Sequence, residues 1–154
     1  MRVLTHVVFS TATALWVVTT WQTLLLSPLT TVLIDALGHT RSHGIPRRVW
    51  LTHDWVLSLP IFILPLSWLY TWAPIIHVSL LTALIINAVT LYTHLMLDAI
   101  TGHTFFMTRR VGHAIVRWDN PIANWLFIIL GIALIVYKFH LSWQILLAYS
   151  LYVY

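Results

Sequence analysis

The chain contains no cysteine, which excludes disulfides, iron–sulfur clusters and thiolate zinc sites and leaves any metal to His, Asp, carbonyl or water ligands. It has no glutamate either, because its four acidic residues are Asp35, Asp54, Asp98 and Asp119. Charge of both signs is scarce: 8% of the residues are charged and 60% are hydrophobic, against about 25% charged in soluble domains. Such a composition reads as an integral membrane protein. At 154 residues the length suits one bundle, a single domain over 1–154, with no room for a separate soluble unit. The formal charge of +4 then reports orientation before anything else, and no nucleic-acid partner is expected. No internal repeat, linker or low-complexity segment stands out.

What is present is a series of apolar runs. They predict helices at about Val3 to Thr19, Trp21 to Leu37, Thr52 to Trp72, Ile75 to Ile100 and Pro121 to Tyr137, with a shorter run from Leu141 to Tyr154. The fold class expected is all-α, a polytopic transmembrane bundle of about five to six helices. A single helix over the first two runs would be roughly 52 Å long, far beyond the ~30 Å hydrocarbon core, so two helices joined near "TTWQT" fit better. The start "MRVLTHVVFS" is basic like a signal peptide, but His6 interrupts its apolar region, and a retained membrane segment is expected. Every basic residue except Lys138 falls at the N-terminus or in two polar connections, Arg41, Arg47 and Arg48 in one, Arg109, Arg110 and Arg117 in the other. These mark the cytoplasmic side, so the N-terminus is expected there and the protein is expected to be multi-pass in the plasma membrane. Pro121 reads as the start of the fifth helix, with Asp119 or Asn120 as its cap.

With that topology the rare polar residues meet at one membrane face: His6 at the start of the first helix, Asp35 and His39 at the end of the second, His53 and Asp54 at the start of the third, His94 and Asp98 at the end of the fourth. An ionisable group at membrane depth costs on the order of 2.5 to 3.5 kcal/mol on insertion scales and therefore faces partners or a watery cavity. Asn87, Thr90, His94, Asp98 and Thr101 recur every three or four residues and stripe one side of their helix. The pairs Asp35/His39 and His94/Asp98 share a four-residue spacing, so each helix offers a carboxylate and an imidazole from one face. That donor set suits zinc or two-metal hydrolytic sites, while an interhelical hydrogen bond that fixes packing is the bland alternative. His43 and His103, in glycine-bearing loops, are lesser candidates. Arg109, Arg110 and Arg117 read first as topology determinants facing anionic headgroups, with a substrate-phosphate clamp as the alternative.

These segments resemble the YdjM-like family of predicted membrane-bound metal-dependent hydrolases, in particular its archaeal branch of unknown function. "LTHVVFS" is similar to the family's opening Thr-His segment and carries His6; "LIDALGH" is similar to its acidic-His motif and carries Asp35 and His39; "THD" is similar to its Thr-His-Ser and carries His53. "THLMLDAITGH" resembles its His-x-x-x-Asp-x-x-Thr segment through His94, Asp98 and Thr101, and "RWDNPIAN" resembles a stretch of the archaeal branch. Two departures stand out: the family's Asp-x-Asp-His is Asp35-Ala-Leu-Gly-His39 here, and its serine is Asp54, which could supply the missing carboxylate.

The resemblance implies a metal-dependent hydrolase with its site at the cytoplasmic membrane face. His6, Asp35, His39, His53, His94 and Asp98 are the candidate ligands of a divalent cation, zinc first, with manganese or iron as alternatives. Asp54 and Asp98 are the candidate catalytic proton acceptors. Membrane lipid is the expected surrounding; a phosphoester or lipid-linked substrate fits the surrounding arginines, but nothing in the sequence selects it. The rival reading is a non-enzymatic small subunit of a larger membrane complex in which the cluster is structural and other subunits are the partners. A haem-binding electron-transfer subunit fits less well, since it calls for facing histidines deep in the bundle rather than at one end.

Overall fold

The structure, a computed structural model, describes residues 2–42, 45–112 and 114–153; the side chains of residues 40–47 and 146–153, and His43 entirely, lie outside that description. Among the described residues the chain runs α1 (Val3–Val17), α2 (Trp21–Gly38), β1 (His39–Ser42), β2 (Ile45–Arg48), α3 (Trp50–His53), α4 (Leu64–Thr71), α5 (Leu80–Thr101), β3 (Thr104–Phe106), β4 (Arg109–Val111) and α6 (Pro121–Val153). The chain is therefore mostly helical, as expected. α1 packs against α2, α5 and α6, and α5 also packs against α2 and α4.

The first apolar run is split as its length requires. The β-branched stretch Val18 to Thr20 leaves the helix, Val18 and Thr20 are extended, and Thr23 Oγ1 donates to the Val18 carbonyl at 2.7 Å, satisfying an acceptor at the end of α1. The third run is not the single helix expected over Thr52 to Trp72. α3 ends at His53, residues 54–58 turn, and a wide π-type turn at Leu59–Ile63 leads into α4. Pro60 and Pro65 explain the widening, since each lacks the N–H that an α-helical ladder needs.

The fourth run begins later than expected, at Leu80, where the Ser79 hydroxyl accepts the Thr82 N–H at 3.1 Å as an N-cap. The fifth and last runs are one helix of 33 residues, about 50 Å long by its rise. The polar break "KFHLSWQ" is absorbed within it: Ser142 Oγ donates to the Lys138 carbonyl at 2.9 Å and Gln144 pairs with His140 at 2.9 Å, each one turn apart. Asn120 rather than Asp119 caps α6, accepting the Ala123 N–H at 3.1 Å, while Asp119 pairs with Arg117 in the exposed loop.

Both polar connections form antiparallel hairpins, β1 with β2 and β3 with β4. The second turns at Met107 and Thr108, whose φ values of 47° and 66° are those of a type I′ turn. Neither is a glycine or asparagine, so something must hold the turn. Asp54 does so, as its Oδ2 accepts the Thr108 N–H at 2.7 Å.

α5 and residues Pro121–Ile145 of α6 are long and apolar enough to cross a membrane; α1 and the Leu59–Thr71 stretch are shorter apolar helices.

Candidate metal centre

The histidines and two of the aspartates come together where the ends of α1, α2, α3 and α5 meet. α5 supplies His94 and Asp98, one turn apart on its buried face. Asp98 is the hub. Its Oδ1 lies 3.5 Å from His6 Nε2, and its Oδ2 lies 3.0 Å from His53 Nε2 and 3.4 Å from His94 Nε2. Asp35 Oδ1, from the last turn of α2, approaches His94 Nε2 at 3.7 Å and His39 Nδ1 at 3.2 Å. The imidazoles of His6 and His94 stack at 4.1 Å between ring centres, and His53 sits edge-on to both His39 and His94. His6, His53, His94 and Asp98 are fully enclosed; Asp35 and His39 are partly open and form the rim. Just beyond the end of α2, the contact with the Asp35 carboxylate raises the pKa of His39 above the ordinary imidazole value despite its partial burial.

Proximity alone would make an ordinary polar core, but the hydrogen bonds do not close. Thr52 Oγ1 lies 3.4 Å from the Ile34 carbonyl and 2.9 Å from His53 Nδ1. His53 Nε2 and Asp98 Oδ2 face each other at 3.0 Å, and neither has a hydrogen bond of good geometry. A proton or a cation held between the two would satisfy both. His94 Nε2 and Nδ1, His6 Nδ1 and Asp35 Oδ2 are likewise buried without a partner. Orphaned buried polar atoms each cost about 1 to 3 kcal/mol, and a cation bound by the lone pairs among them would relieve part of that cost. The spacings agree with this reading, because ligands about 2.0 to 2.2 Å from one ion sit roughly 3 to 3.5 Å from each other. Two triads have their donor atoms within 4.8 Å of one another, His6/His94/Asp98 and His39/His53/Asp98. A buried His/Asp group able to hold a metal is thus present. Nitrogen and carboxylate donors of this kind accept zinc, manganese or iron without selecting among them.

A residue that sequence reading took for a topology signal turns out to belong to the site. Arg48, at the end of β2, donates through Nη2 to Asp98 Oδ1 at 2.7 Å and to Thr101 Oγ1 at 3.1 Å, and through Nη1 to the carbonyls of Asp98 at 3.0 Å and His103 at 2.8 Å. It ties down the C-terminal end of α5 and fixes the Asp98 carboxylate. Thr101 therefore braces Arg48 rather than the histidines, and His103 lies outside the cluster, its Nδ1 2.6 Å from the Gly112 carbonyl. Two carboxylates face one guanidinium in the cluster, an excess of negative charge that suits a cation. Two glycines make the room: a Cβ on Gly38 would strike Thr52 Oγ1 and the His53 ring, and one on Gly102 would lie 2.7 Å from Arg48 Nη1.

Asp54, expected as a proton acceptor, is not brought into this group. Its Oδ1 accepts the Val56 and Leu57 N–H groups at 2.8 and 2.9 Å and its Oδ2 holds the hairpin turn. The carboxylate is covered by its own loop, and although that covering favours the neutral acid, the backbone donors outweigh it and hold the pKa below the ordinary aspartate value. The "RWDNPIAN" stretch is also explained locally. Asn124 Oδ1 accepts from Thr5 Oγ1 at 2.7 Å and from the Arg2 N–H at 2.9 Å, which fastens the start of α1 to α6.

The chain matches no protein-family model, no curated protein and no solved structure.

Proposed function

We propose that the protein is a membrane-embedded, metal-dependent hydrolase in which a divalent cation is held by His6, Asp35, His39, His53, His94 and Asp98. The observation that carries this reading is the cluster of buried ring nitrogens and carboxylate oxygens that face one another without hydrogen bonds. The resemblance of the same segments to the YdjM-like family points to the same chemistry.

The membrane reading rests on an inverted distribution of polarity. His6, Ser27, Thr30, Asn87 and Asp98 are enclosed, whereas Leu69, Trp72, Leu81, Ile122, Leu126 and Val136 are exposed, the reverse of a protein in water. With the last two apolar runs joined in α6, we read five crossings, oriented by the charge bias with the seven arginines on the cytoplasmic side. On that topology the site opens toward the cytoplasm through Asp35 and His39.

A bound divalent cation supplies Lewis acidity and makes water a competent nucleophile near neutral pH. The protein's own groups divide the remaining work. Asp98 is held by Arg48 and so positions. Asp35 Oδ2, buried and unpartnered at the rim, is the carboxylate left to take a proton from the attacking water. The oxygen of that water bonds to the phosphorus or carbonyl carbon, the ester oxygen leaves, and the proton held on Asp35 passes to it. An ester carried by a membrane lipid reaches such a rim directly.

The test is a hydrolysis screen of phosphoester and carboxyl-ester substrates, water-soluble and lipid-linked, with the zinc- or manganese-loaded protein in bilayer discs. Turnover that is lost in His94→Ala and in Asp35→Asn supports the hydrolase. Metal binding with no turnover across the panel contradicts it and favours a structural metal in a subunit of a larger assembly.

A further inference from the structure

Deepening the proposed function and resting on it, we infer that the site takes two divalent cations, not one, with Asp98 as the carboxylate shared between them. The donors fall into two triads that have Asp98 in common, His6 and His94 on one side and His39 and His53 on the other. Asp98 faces both triads: its Oδ1 approaches His6, and its Oδ2 approaches His53 of one triad and His94 of the other. Six side chains are also more than one zinc requires, since catalytic zinc takes three protein ligands and an open position.

The supply of lone pairs matches two ions as well. His6 Nε2 and His94 Nε2 serve one triad, and His53 Nε2 and a His39 ring nitrogen serve the other. Asp35 Oδ1 lies 3.7 Å from His94 and 3.2 Å from His39, so it stands between the two triads on the open side, where its carboxylate can take the proton of the attacking water. Arg48 sits behind Asp98 Oδ1 and orients that carboxylate as an outer partner does in metal sites. Carboxylate-linked cation pairs generally lie about 3.5 to 4 Å apart and stabilise both the attacking and the leaving oxygen of a displacement at phosphorus. A phosphoester is the substrate class that such a displacement fits.

Metal binding separates the possibilities. The full chain in detergent, stripped with chelator, is titrated with Zn²⁺ by calorimetry and with Mn²⁺ by electron paramagnetic resonance, in wild type, His6→Ala and His39→Ala. Two equivalents in wild type, one in each variant, and a spin-coupled manganese signal only in wild type are expected. One equivalent in wild type, with an uncoupled signal, overturns the pair and leaves the single-ion hydrolase standing. No binding in wild type overturns both. Should His6→Ala lose helicity by circular dichroism, the wild-type stoichiometry and the coupled signal decide alone, and His39, at the half-open rim, supplies the second variant.

Discussion

Arg48 Nη2 donates to Asp98 Oδ1 at 2.7 Å while Nη1 donates to the carbonyl of the same residue at 3.0 Å. One side chain thus neutralises the central carboxylate and closes the last turn of α5, where main-chain acceptors are left open. Asp98 is 1% exposed in this pair, so removing its partner leaves a buried charge. Arg48→Met is expected to destabilise the protein by about 3 kcal/mol, and Arg48→Lys to recover only part of that, because an ammonium cannot reach the carboxylate, Thr101 and two carbonyls in one fork. Unfolding in mixed micelles measures both; a change under about 0.5 kcal/mol for Arg48→Met would remove the arginine from the account.

Gly38 lies where α2 gives way to β1 and leaves space that Thr52 and His53 occupy. Gly38→Ala puts a methyl group into that space and is expected to cost roughly 1 to 3 kcal/mol, and to weaken metal binding further by turning His53 away from Asp98. Metal affinity beside thermal stability checks this. Unchanged affinity would mean that the His53 ring is free to move.

Asp54 titrates as a structural group. Its folded pKa lies below the ordinary value, so its contribution is fully present above the unfolded value of about 3.9 and is lost as pH falls through the folded one. Wild type is expected to lose stability below about pH 4 with Asp54→Asn less stable at neutral pH and flatter on the acid side. The same acid-side slope in both proteins would show that another carboxylate governs it. Activity or metal content is expected to survive in Asp54→Asn, since the side chain does not face the cluster.

The turn at Met107 and Thr108 holds two non-glycine residues at positive φ. Replacing the pair with Asn-Gly supplies the residues a type I′ turn prefers and is expected to stabilise by about 1 kcal/mol. A loss of stability would indicate that the exposed Met107 side chain makes a contact of its own.

The site was more legible in the sequence than the path of the chain that builds it. Four-residue spacing on α2 and α5 placed Asp35 with His39 and His94 with Asp98 because a helix turn makes those neighbours regardless of the rest of the fold. His6 and His53 followed from apolar run lengths and the placement of charge. Arg48 escaped because its guanidinium reaches Asp98 fifty residues away along the chain, and no local periodicity encodes such a contact. Asp54 was misplaced for the opposite reason: adjacency to His53 suggested a shared site, but α3 stops at His53 and the next residue turns toward the hairpin. The hairpins were invisible as strands because their sequences are short and rich in arginine, and α6 was cut in two because its polar residues satisfy one another within the helix.

A bound cation would satisfy the buried, unpartnered atoms around Asp98. Elemental analysis of protein purified without chelator, wild type beside His94→Ala and Asp98→Asn, tests it most directly. At least one equivalent of zinc, manganese or iron per chain in wild type, lost in both variants while helicity is retained, is the predicted result. Metal-free wild type that also takes up none of the three on incubation would contradict it.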